Sequence, residues 1–330
     1  MKKNLGFLLI TIIATLLVLA ACGNTENKEE AASTEKEEGT SAEKETAEES
    51  VRVIEHVLGT TEIKGKPQKI ITLYQGATDT LTQFGVKPVG AVESWAEPPI
   101  YEYIKAEVGD VKIVGQETQP NLEEIAALQP DLIIATQVRH EEIYEQLSQI
   151  APTIVNTTLY DIRETTELIG KALNEEEKAK ELMTAWDARI ADFKEKITAK
   201  GNFPLSVAVT NYRADHARIY VQGFAGSILT QLGFTEPKNL VGQNLEIVKL
   251  TDKESISSMD ADVIFQFMED DAAVKSTHEE WTKHPLYANL DAVKNNQVFT
   301  VNEIIWNLAG GLKAANLMLD ELYTHFDLEK

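Results

Sequence analysis

The sequence predicts an α/β protein of two Rossmann-like lobes that are joined by a long connector helix. Three observations support this fold class. Strand and helix patterns alternate from Val51 onward, two segment patterns recur in the same order in both halves, and a mainly helical stretch separates the halves. At 330 residues the chain is also longer than one hydrophobic core usually serves, which favours about two domains.

The N-terminus has the pattern of a secretory leader. Lys2 and Lys3 precede a nearly continuous apolar run from Leu5 to Ala21, and no basic segment follows the run. The end of the run reads LAACG and resembles a bacterial lipobox, which implies cleavage before Cys22 and a lipid on its sulfur. We expect residues 1–21 to be a lipoprotein signal peptide. The alternative is an ordinary thiol beside a cleavage site.

Residues 22–50 are predicted to be a disordered acidic tether. Ten Glu, three Lys and no aromatic residue lie between Gly23 and Ser50. Such a composition cannot bury enough apolar surface to offset the entropy lost on ordering.

Residues 51–160 are predicted to form the N-terminal lobe. Alternating residues around Gly59 indicate a β-hairpin, and short apolar runs alternate with segments of helical spacing after it. The predicted strands are Lys69–Leu73, Val89–Val92, Asp131–Thr136 and Thr153–Val155, and the predicted helices are Thr78–Phe84, Asn121–Leu128 and Glu141–Ile150. This alternation is typical of a mostly parallel sheet.

The two halves share two sequence patterns in the same order. Leu81–Gly85 recurs as Leu229–Gly233, and Glu123–Ile133 recurs as Glu254–Ile264. The repetition predicts two similar lobes, although independent segments of common α/β type would be an alternative explanation.

Residues 161–200 are predicted to be the connector helix, and residues 201–330 the C-terminal lobe. The spacing from Leu182 to Ile197 gives the connector one apolar face, and Asn174 with Glu177 forms a capping-box pattern midway. A helical connector resists a wide hinge motion, so we expect only a small tilt of the lobes on ligand binding.

Composition and charge narrow the possible functions. A net charge of −22 makes nucleic acid a poor partner, and one cysteine excludes a disulfide framework or a cysteine-rich metal cluster. The common hydrolase, nucleotide-binding and zinc-protease motifs do not occur, so an enzyme is not favoured. A carboxylate-pair site has no short signature, so a secreted glycosidase stays an alternative.

The six histidines are dispersed, and four of them could in principle converge on a cation between the lobes. These four are His56, His140, His216 and His284. We do not predict a metal site, because His140 and His216 share their loops with arginines that would repel a bare cation.

Arginines are the sharper signal for a ligand site. Arg139 follows the predicted strand Asp131–Thr136, and Arg213 and Arg218 follow the predicted strand Ser206–Thr210. Ligands of open α/β sheets bind beyond the carboxyl ends of strands, and guanidinium groups suit carboxylates. The three arginines predict an anionic ligand, the alternative being solvated or ion-paired surface residues.

Four aromatic residues accompany these positions. Tyr74 and Trp95 follow predicted strands, Tyr212 adjoins Arg213, and Trp306 is placed at the start of a helix that contains Gly310 and Gly311. Aromatic rings at strand ends can pack on a ligand, so all four are predicted ligand-binding residues, with a core position as the alternative for Trp306.

Taken together, the leader, the tether and several segments resemble the iron-siderophore substrate-binding lipoproteins of bacterial ABC importers. The most specific segments are Pro120–Ile133, Ile150–Ile154 and Arg213–Tyr220. The resemblance implies the class III substrate-binding fold, with an interlobe cleft for a ferric siderophore. The siderophore would hold the iron, so neither a resident cofactor nor a protein metal ligand is implied.

The resemblance also assigns roles to single residues. The basic cleft residues of the family match Arg213 and Arg218 best and Arg139 less well, and its cleft aromatics match Trp95 and Trp306. Glu123 and Glu254 match the glutamates that dock on the membrane permease, although an acidic residue in the first turn of a helix also favours the helix dipole by itself.

We therefore expect an extracytoplasmic, lipid-anchored monomer that binds a ferric siderophore, delivers it to a permease and catalyses no reaction. The arginines favour citrate-containing or mixed citrate-hydroxamate ligands over catecholates. The alternatives are a heme or cobalamin carrier, a direct metal-cation carrier and the glycosidase.

Overall fold

The computed structural model describes residues 51–330. The predicted signal peptide, the lipid-attachment residue Cys22 and the predicted tether lie outside the described residues. Within residues 51–330, no helix combines the length and apolar character needed to cross a bilayer.

The N-terminal lobe is built on a six-stranded sheet preceded by a hairpin. The hairpin strands β1 (Val51–His56) and β2 (Gly59–Lys64) pair antiparallel, as predicted. The sheet has the order β6-β5-β4-β3-β7-β8 and is parallel except for β6. Its strands are β3 (Ile70–Thr72), β4 (Gly90–Glu93), β5 (Lys112–Gln116), β6 (Gln119–Pro120), β7 (Leu132–Thr136) and β8 (Thr153–Asn156).

Helices cover both faces of this sheet, so its central strands are apolar and wholly buried, as is usual for parallel sheets. The helices are α1 (Gln75–Gln83), α2 (Lys105–Val108), α3 (Leu122–Ala127), α4 (Gln137–His140) and α5 (Tyr144–Ile150).

The connector consists of two helices, α6 (Ile162–Leu173) and α7 (Glu176–Ala199). Asn174 has a φ of 57° and ends α6 in the left-handed conformation, so the predicted capping box at the start of α7 is wrong. The apolar face of α7 is confirmed, because Trp186, Phe193 and Ile197 are buried against the C-terminal lobe.

The C-terminal lobe carries a five-stranded mixed sheet of order β11-β10-β9-β12-β13. Strands β9, β12 and β13 run parallel, whereas β10 is antiparallel to both of its neighbours, β9 and β11. The elements are β9 (Val207–Tyr212), β10 (Ala217–Tyr220), α8 (Gly223–Leu232), β11 (Ile247–Leu250), β12 (Val263–Met268), α9 (Ala272–Thr282), α10 (Asp291–Lys294), β13 (Val298–Thr300) and α11 (Leu312–His325). The predicted class of two α/β lobes with a helical connector is confirmed.

The repeated sequence patterns occupy equivalent places in the two lobes. Gly85 follows the end of α1 and Gly233 ends α8, and both have a positive φ that favours glycine. In the second pair, α3 leads into β7, but a 3₁₀ helix at Lys253–Met259 leads into β12. The patterns thus predict where elements end better than the type of helix.

The two lobes meet tightly where α1 approaches the start of α11. Gly311 lies so close to Asp79 that a Cβ atom added to this glycine would be 2.3 Å from the Asp79 carboxyl carbon. On the other side, a Cβ on Gly76 would be 2.8 Å from the carbonyl oxygen of Gly310. Glycine is therefore required at this junction, which fixes the floor of the space between the lobes.

Candidate functional site

A cavity of about 450 Å³ lies between the lobes and is lined by both. On the N-terminal side its lining follows the carboxyl ends of parallel strands, as is usual for ligand sites of open α/β sheets. The N-terminal lobe contributes Gln75, Trp95, Glu117, Arg139 and Leu159, and the C-terminal lobe contributes Tyr220, Phe224, Glu246, Ile247 and Asn307. We refer to this cavity as the cleft.

A second cavity, of about 640 Å³, has a different character. Four carboxylates line it, and Lys330 is the lysine among its lining residues. The carboxylates belong to Glu97, Glu102, Asp320 and Glu321. An anionic ligand would be repelled there, so the cleft is the better candidate.

Arg139 lies on the N-terminal wall of the cleft, with its side chain 35% exposed. Its Nε lies 3.4 Å from Oε1 of Glu117. The Glu117 side chain is 4% exposed, and its other oxygen, Oε2, accepts the Gln75 backbone N–H at 3.1 Å. Burial raises the pKa of Glu117, while the Gln75 N–H and Arg139 oppose the increase. Arg139 therefore retains donors that a ligand can use.

His140 supports this wall as a neutral residue. Its Nδ1 accepts the Thr136 backbone N–H at 3.2 Å, so its Nε2 carries the proton and donates to the Glu117 carbonyl oxygen at 3.0 Å. Burial lowers the pKa of His140 to about 4. The ring therefore links the end of β7 to Glu117, which follows β5.

Apolar side chains form the rim of the cleft. Trp95 is 48% exposed, Val138 is 58% exposed and Ile247 is 47% exposed, and all three belong to the cleft lining. Large exposed apolar side chains around a cavity are typical of a binding surface. The structure thus places Trp95 where it can pack on a ligand.

On the C-terminal side, Arg213 directly follows β9 and is paired with two carboxylates. Its Nη1 contacts Glu269, and its Nη2 lies 3.2 Å from Oε1 of Glu303. The arginine side chain is 24% exposed. Burial raises the pKa of Glu303, which Arg213 opposes. Arg213 is not among the residues that line the cleft, but Tyr220, which does line it, lies on β10, the strand paired with β9.

Arg218 is oriented by a short chain of hydrogen bonds. Its Nε donates to Nε2 of His216 at 2.9 Å, and because that nitrogen accepts, Nδ1 of His216 donates to Asp215 at 2.6 Å. Arg218 and Tyr220 lie two residues apart on β10 and therefore share one face of the sheet. This geometry directs Arg218 to the same side as a residue that lines the cleft.

Three predicted ligand residues are core residues instead, and the prediction that they line the cleft is corrected. Tyr74, Tyr212 and Trp306 are each 0% exposed. The Tyr74 hydroxyl lies 3.2 Å from Oγ1 of Thr165, and the Tyr212 ring packs edge-on against His278 at 4.7 Å. Each has neighbours of its own lobe or connector where a ligand would have to be.

Trp306 also differs from the expected local structure. It lies in a π-helical turn at Ile304–Leu308, and α11 begins only at Leu312. Its ring centroid is 4.5 Å from that of Phe265, and its indole N–H donates to Glu321 at 2.6 Å. The core alternative for Trp306 is therefore the correct one.

Sequence reasoning missed Tyr220 of the cleft lining and the two carboxylates that pair with Arg213. Tyr220 could have been found from Arg218, because side chains two apart on a strand point to the same face. Glu303 and Glu269 follow β13 and β12, which flank each other in the sheet, but the strand order was needed to place them beside Arg213.

Glu123 and Glu254 occupy corresponding positions at the start of a helical segment in each lobe. Asn121 accepts the backbone N–H of Glu123 at 3.0 Å, and Asp252 accepts that of Glu254 at 2.9 Å. Both glutamates are exposed. Within residues 51–330, neither forms an ion pair.

The histidines do not gather around a cation. His56 lies 3.0 Å from the Thr61 hydroxyl, and His140 and His216 have the partners described above. Across the described part of the chain, no three His, Cys, Asp or Glu side chains form a cluster that could hold a metal ion.

Comparison with known protein families identifies the family of the chain. Residues 70–304 match the model of the periplasmic binding protein family. The chain belongs to this family. It is a family of binding proteins, and its fold agrees with the two lobes and the cleft described above.

Two relatives of the chain are named for binding siderophores. The chain is 40% identical to the achromobactin-binding periplasmic protein of Dickeya dadantii, over 78% of this chain and 85% of the relative. It is 38% identical to the probable siderophore-binding lipoprotein YfiY of Bacillus subtilis, over 99% of both chains. These relatives confirm the predicted resemblance to siderophore-binding proteins and support an extracytoplasmic location.

A solved structure is similar to the chain in both fold and sequence. The complex of Staphylococcus aureus SirA with staphyloferrin B has a TM-score of 0.81 and 50% sequence identity, and it covers 84% of this chain and 99% of SirA. The class III fold expected from the sequence is thereby confirmed.

Proposed function

We propose that this protein captures an anionic ferric siderophore in the cleft and delivers it to the permease of an ABC importer. The observation that carries the proposal is the cleft itself, a cavity of about 450 Å³ with Arg139 on one wall and, on the other, Tyr220, which shares a face of β10 with Arg218. The names of the relatives, which bind achromobactin, ferric citrate or other siderophores, support this ligand class.

The arginines and the apolar rim contribute different interactions to ligand binding. Guanidinium groups donate paired hydrogen bonds to carboxylates of the chelate, and a partly enclosed site strengthens these charged bonds. Trp95 and its apolar neighbours pack on the chelate framework and shield it from water. The iron is cargo that the siderophore coordinates, so no bond of the ligand is made or broken.

Delivery to the permease requires contacts on the exposed surface of the protein rather than in the cleft. Glu123 and Glu254 are exposed carboxylates, one on each lobe, and they are suited to contact basic residues of a permease. A lipid on Cys22 would keep the protein, as a monomer on its tether, close to that permease. An acyl chain contributes membrane affinity in proportion to the apolar surface that it buries.

Tryptophan fluorescence of the chain from Gly23 to Lys330 tests the proposal. Trp95 is the exposed tryptophan at the cleft, whereas Trp186, Trp281 and Trp306 are buried. The titrants are ferric staphyloferrin B, ferric citrate, one ferric hydroxamate, one ferric catecholate, heme, cobalamin and zinc. We expect saturable quenching by an anionic ferric chelate.

Trp95→Phe serves as the control for site assignment, because it should remove most of the quenching while buried tryptophans continue to report the folded state. Saturation by heme, cobalamin or zinc alone would overturn the proposal in favour of that ligand. A folded protein that responds to no titrant would overturn it altogether.

A further inference from the structure

Arg213 is paired with carboxylates of its own chain at the place where a ligand carboxylate is expected. The contacts are to Glu269 and to Glu303, the latter at 3.2 Å. The three residues follow β9, β12 and β13, which are neighbours in the sheet, so the sheet itself brings them together. A ligand that binds Arg213 therefore competes with the chain.

The two glutamates differ in burial, which decides which of them matters. The Glu269 side chain is 58% exposed, whereas that of Glu303 is 12% exposed. Water readily replaces an exposed ion-pair partner, so losing Glu269 costs little. A buried carboxylate that loses its partner is destabilised unless it is neutralised. Glu303 is therefore the effective competitor.

The surroundings of Glu303 connect it to the space between the lobes. Besides burial, the negative charge of Glu269 raises the pKa of Glu303, whereas the positive charges of Arg213 and Arg218 lower it. The next residue along the chain, Ile304, packs against the apolar cluster of the N-terminal lobe that contains Tyr101, so Glu303 lies near the lobe boundary. Burial is the main cause of the raised pKa of Glu303.

Arg213 also has an unused donor. Its Nε is buried and has no hydrogen-bond partner among residues 51–330. A buried donor without an acceptor costs free energy. A turn of the guanidinium away from Glu303 and towards a ligand could give this nitrogen an acceptor, so the existing pairing is not the best that Arg213 can form.

We propose that Glu303 is a specificity-determining residue: an anionic ferric chelate takes Arg213 from Glu303, and the released carboxylate binds one proton from solvent. This inference rests on the proposed function. A ligand without anionic groups cannot replace the charge of Glu303 on Arg213. Glu303 thus makes the cleft selective for anionic chelates.

The sign of the pH effect follows from the charges. A ligand anion beside Glu303 favours its protonated form, so binding takes up a proton. Affinity then weakens as the pH rises, by up to about tenfold per pH unit for one proton bound. Glu303→Gln is neutral at every pH and cannot take up this proton.

Isothermal titration calorimetry with ferric staphyloferrin B tests the inference on the wild type, Glu303→Gln and Glu321→Gln. Titrations in buffers with different ionisation enthalpies, between about pH 5 and pH 8, count the protons taken up. Glu321 is the matched control, because burial also raises its pKa but its partner is the Trp306 indole.

We expect the wild type and Glu321→Gln to take up about one proton more than Glu303→Gln. Glu303→Gln should also bind a neutral ferric hydroxamate more tightly than the wild type does. Equal proton uptake by wild type and Glu303→Gln would overturn the inference while leaving the proposed function intact. Weaker binding of Glu303→Gln by one constant factor at every pH would do the same, because Glu303 would then only position Arg213.

The wild type alone also provides a test that needs no variant. A binding enthalpy that is identical in all buffers would mean that no proton is taken up, which overturns the inference. A wild type that binds none of the chelates would overturn the proposed function and the inference together.

Discussion

Asp79 of α1 caps the first turn of α11 from the opposite lobe. Its carboxylate is fully buried and accepts the backbone N–H of Lys313 at 2.7 Å and that of Ala314 at 3.0 Å. The Tyr103 hydroxyl donates to the same carboxylate at 2.5 Å. A carboxylate at this position satisfies free N–H groups of the helix and interacts favourably with its dipole. Asp79 therefore joins the N-terminal lobe to the C-terminal helix.

Because Asp79 and Gly311 are in contact, substitutions at the two positions should be strongly coupled. Asp79→Ala leaves buried donors without an acceptor, which should lower the free energy of unfolding by about 1–3 kcal/mol. Gly311→Ala introduces a Cβ atom 2.3 Å from the carboxylate and should cost about as much through overpacking.

In the double variant the new methyl group occupies space that Asp79 has left, so the combined cost should be smaller than the two single costs together. Urea unfolding of the four proteins measures this coupling. Strictly additive costs would show that the two residues do not constrain each other in solution.

The same carboxylate should make stability depend on pH. Burial raises the pKa of Asp79 from an ordinary value near 3.8 to about 6 in the folded protein. The folded state therefore binds the proton more tightly than the unfolded state, so this group lowers stability as the pH rises from about 4 to about 6. Each pKa unit corresponds to about 1.4 kcal/mol.

Asp79→Asn cannot titrate and should lack this component. Denaturant unfolding at several pH values for both proteins gives the difference, which should change between about pH 4 and pH 6 and level off above. A difference that is constant across this range would mean that Asp79 keeps an ordinary pKa.

The sequence predicts the elements that have a local residue pattern, but not the features that depend on contacts between distant segments. The strand predicted at Asp131–Thr136 is observed at Leu132–Thr136, because its apolar run and its flanking residues identify a buried strand. The π-helical turn around Trp306 has no such signal, since an aromatic residue at a strand end packs equally well into a core or a cleft. Its burial depends on Phe265, which lies on a strand distant in sequence.

The charged part of the site shows the same limit. Arg139 and Arg213 could be predicted because each follows a strand. The carboxylates that hold them could not, because Glu117 and Glu303 reach the arginines only through the order of strands in each sheet. Strand order is set by packing between distant segments, which a single sequence does not display.

Arg213→Ala should weaken binding of ferric staphyloferrin B by about 1–3 kcal/mol, through loss of a charged hydrogen bond in a half-buried site. Removing the arginine also leaves Glu303 and Glu269 facing the ligand anion. Arg163→Ala is the control, since Arg163 pairs with Asp187 on the connector and both side chains are exposed. Fluorescence titration measures both constants, and an unchanged dissociation constant for Arg213→Ala would remove this residue from the site.

Ligand binding should tilt the lobes only slightly. The 24 residues of α7 form one continuous helix, and Asp79 with Gly311 fixes a second junction between the lobes. Two separate connections restrict a hinge motion more than one does. Small-angle scattering with and without ferric staphyloferrin B should give nearly equal radii of gyration. A marked decrease on binding would show a wide closure that these contacts do not allow.

Substitution of Glu123 and Glu254 should impair delivery of the chelate to the permease without changing its capture in the cleft. Glu123→Ala with Glu254→Ala removes one exposed carboxylate from each lobe, and neither residue lines the cleft, so affinity for the chelate should not change. If both carboxylates contact basic residues of the permease, iron uptake by cells should fall by about tenfold or more, since charged contacts across an interface support association.

Glu181→Ala is the matched control, because Glu181 is an exposed glutamate on the connector with a side chain 72% exposed. Uptake of radioactive iron presented as ferric staphyloferrin B measures delivery, and fluorescence titration measures capture. Equal uptake by the double variant and the control would show that the permease recognises another surface, whereas loss of affinity would show that these glutamates act on the cleft.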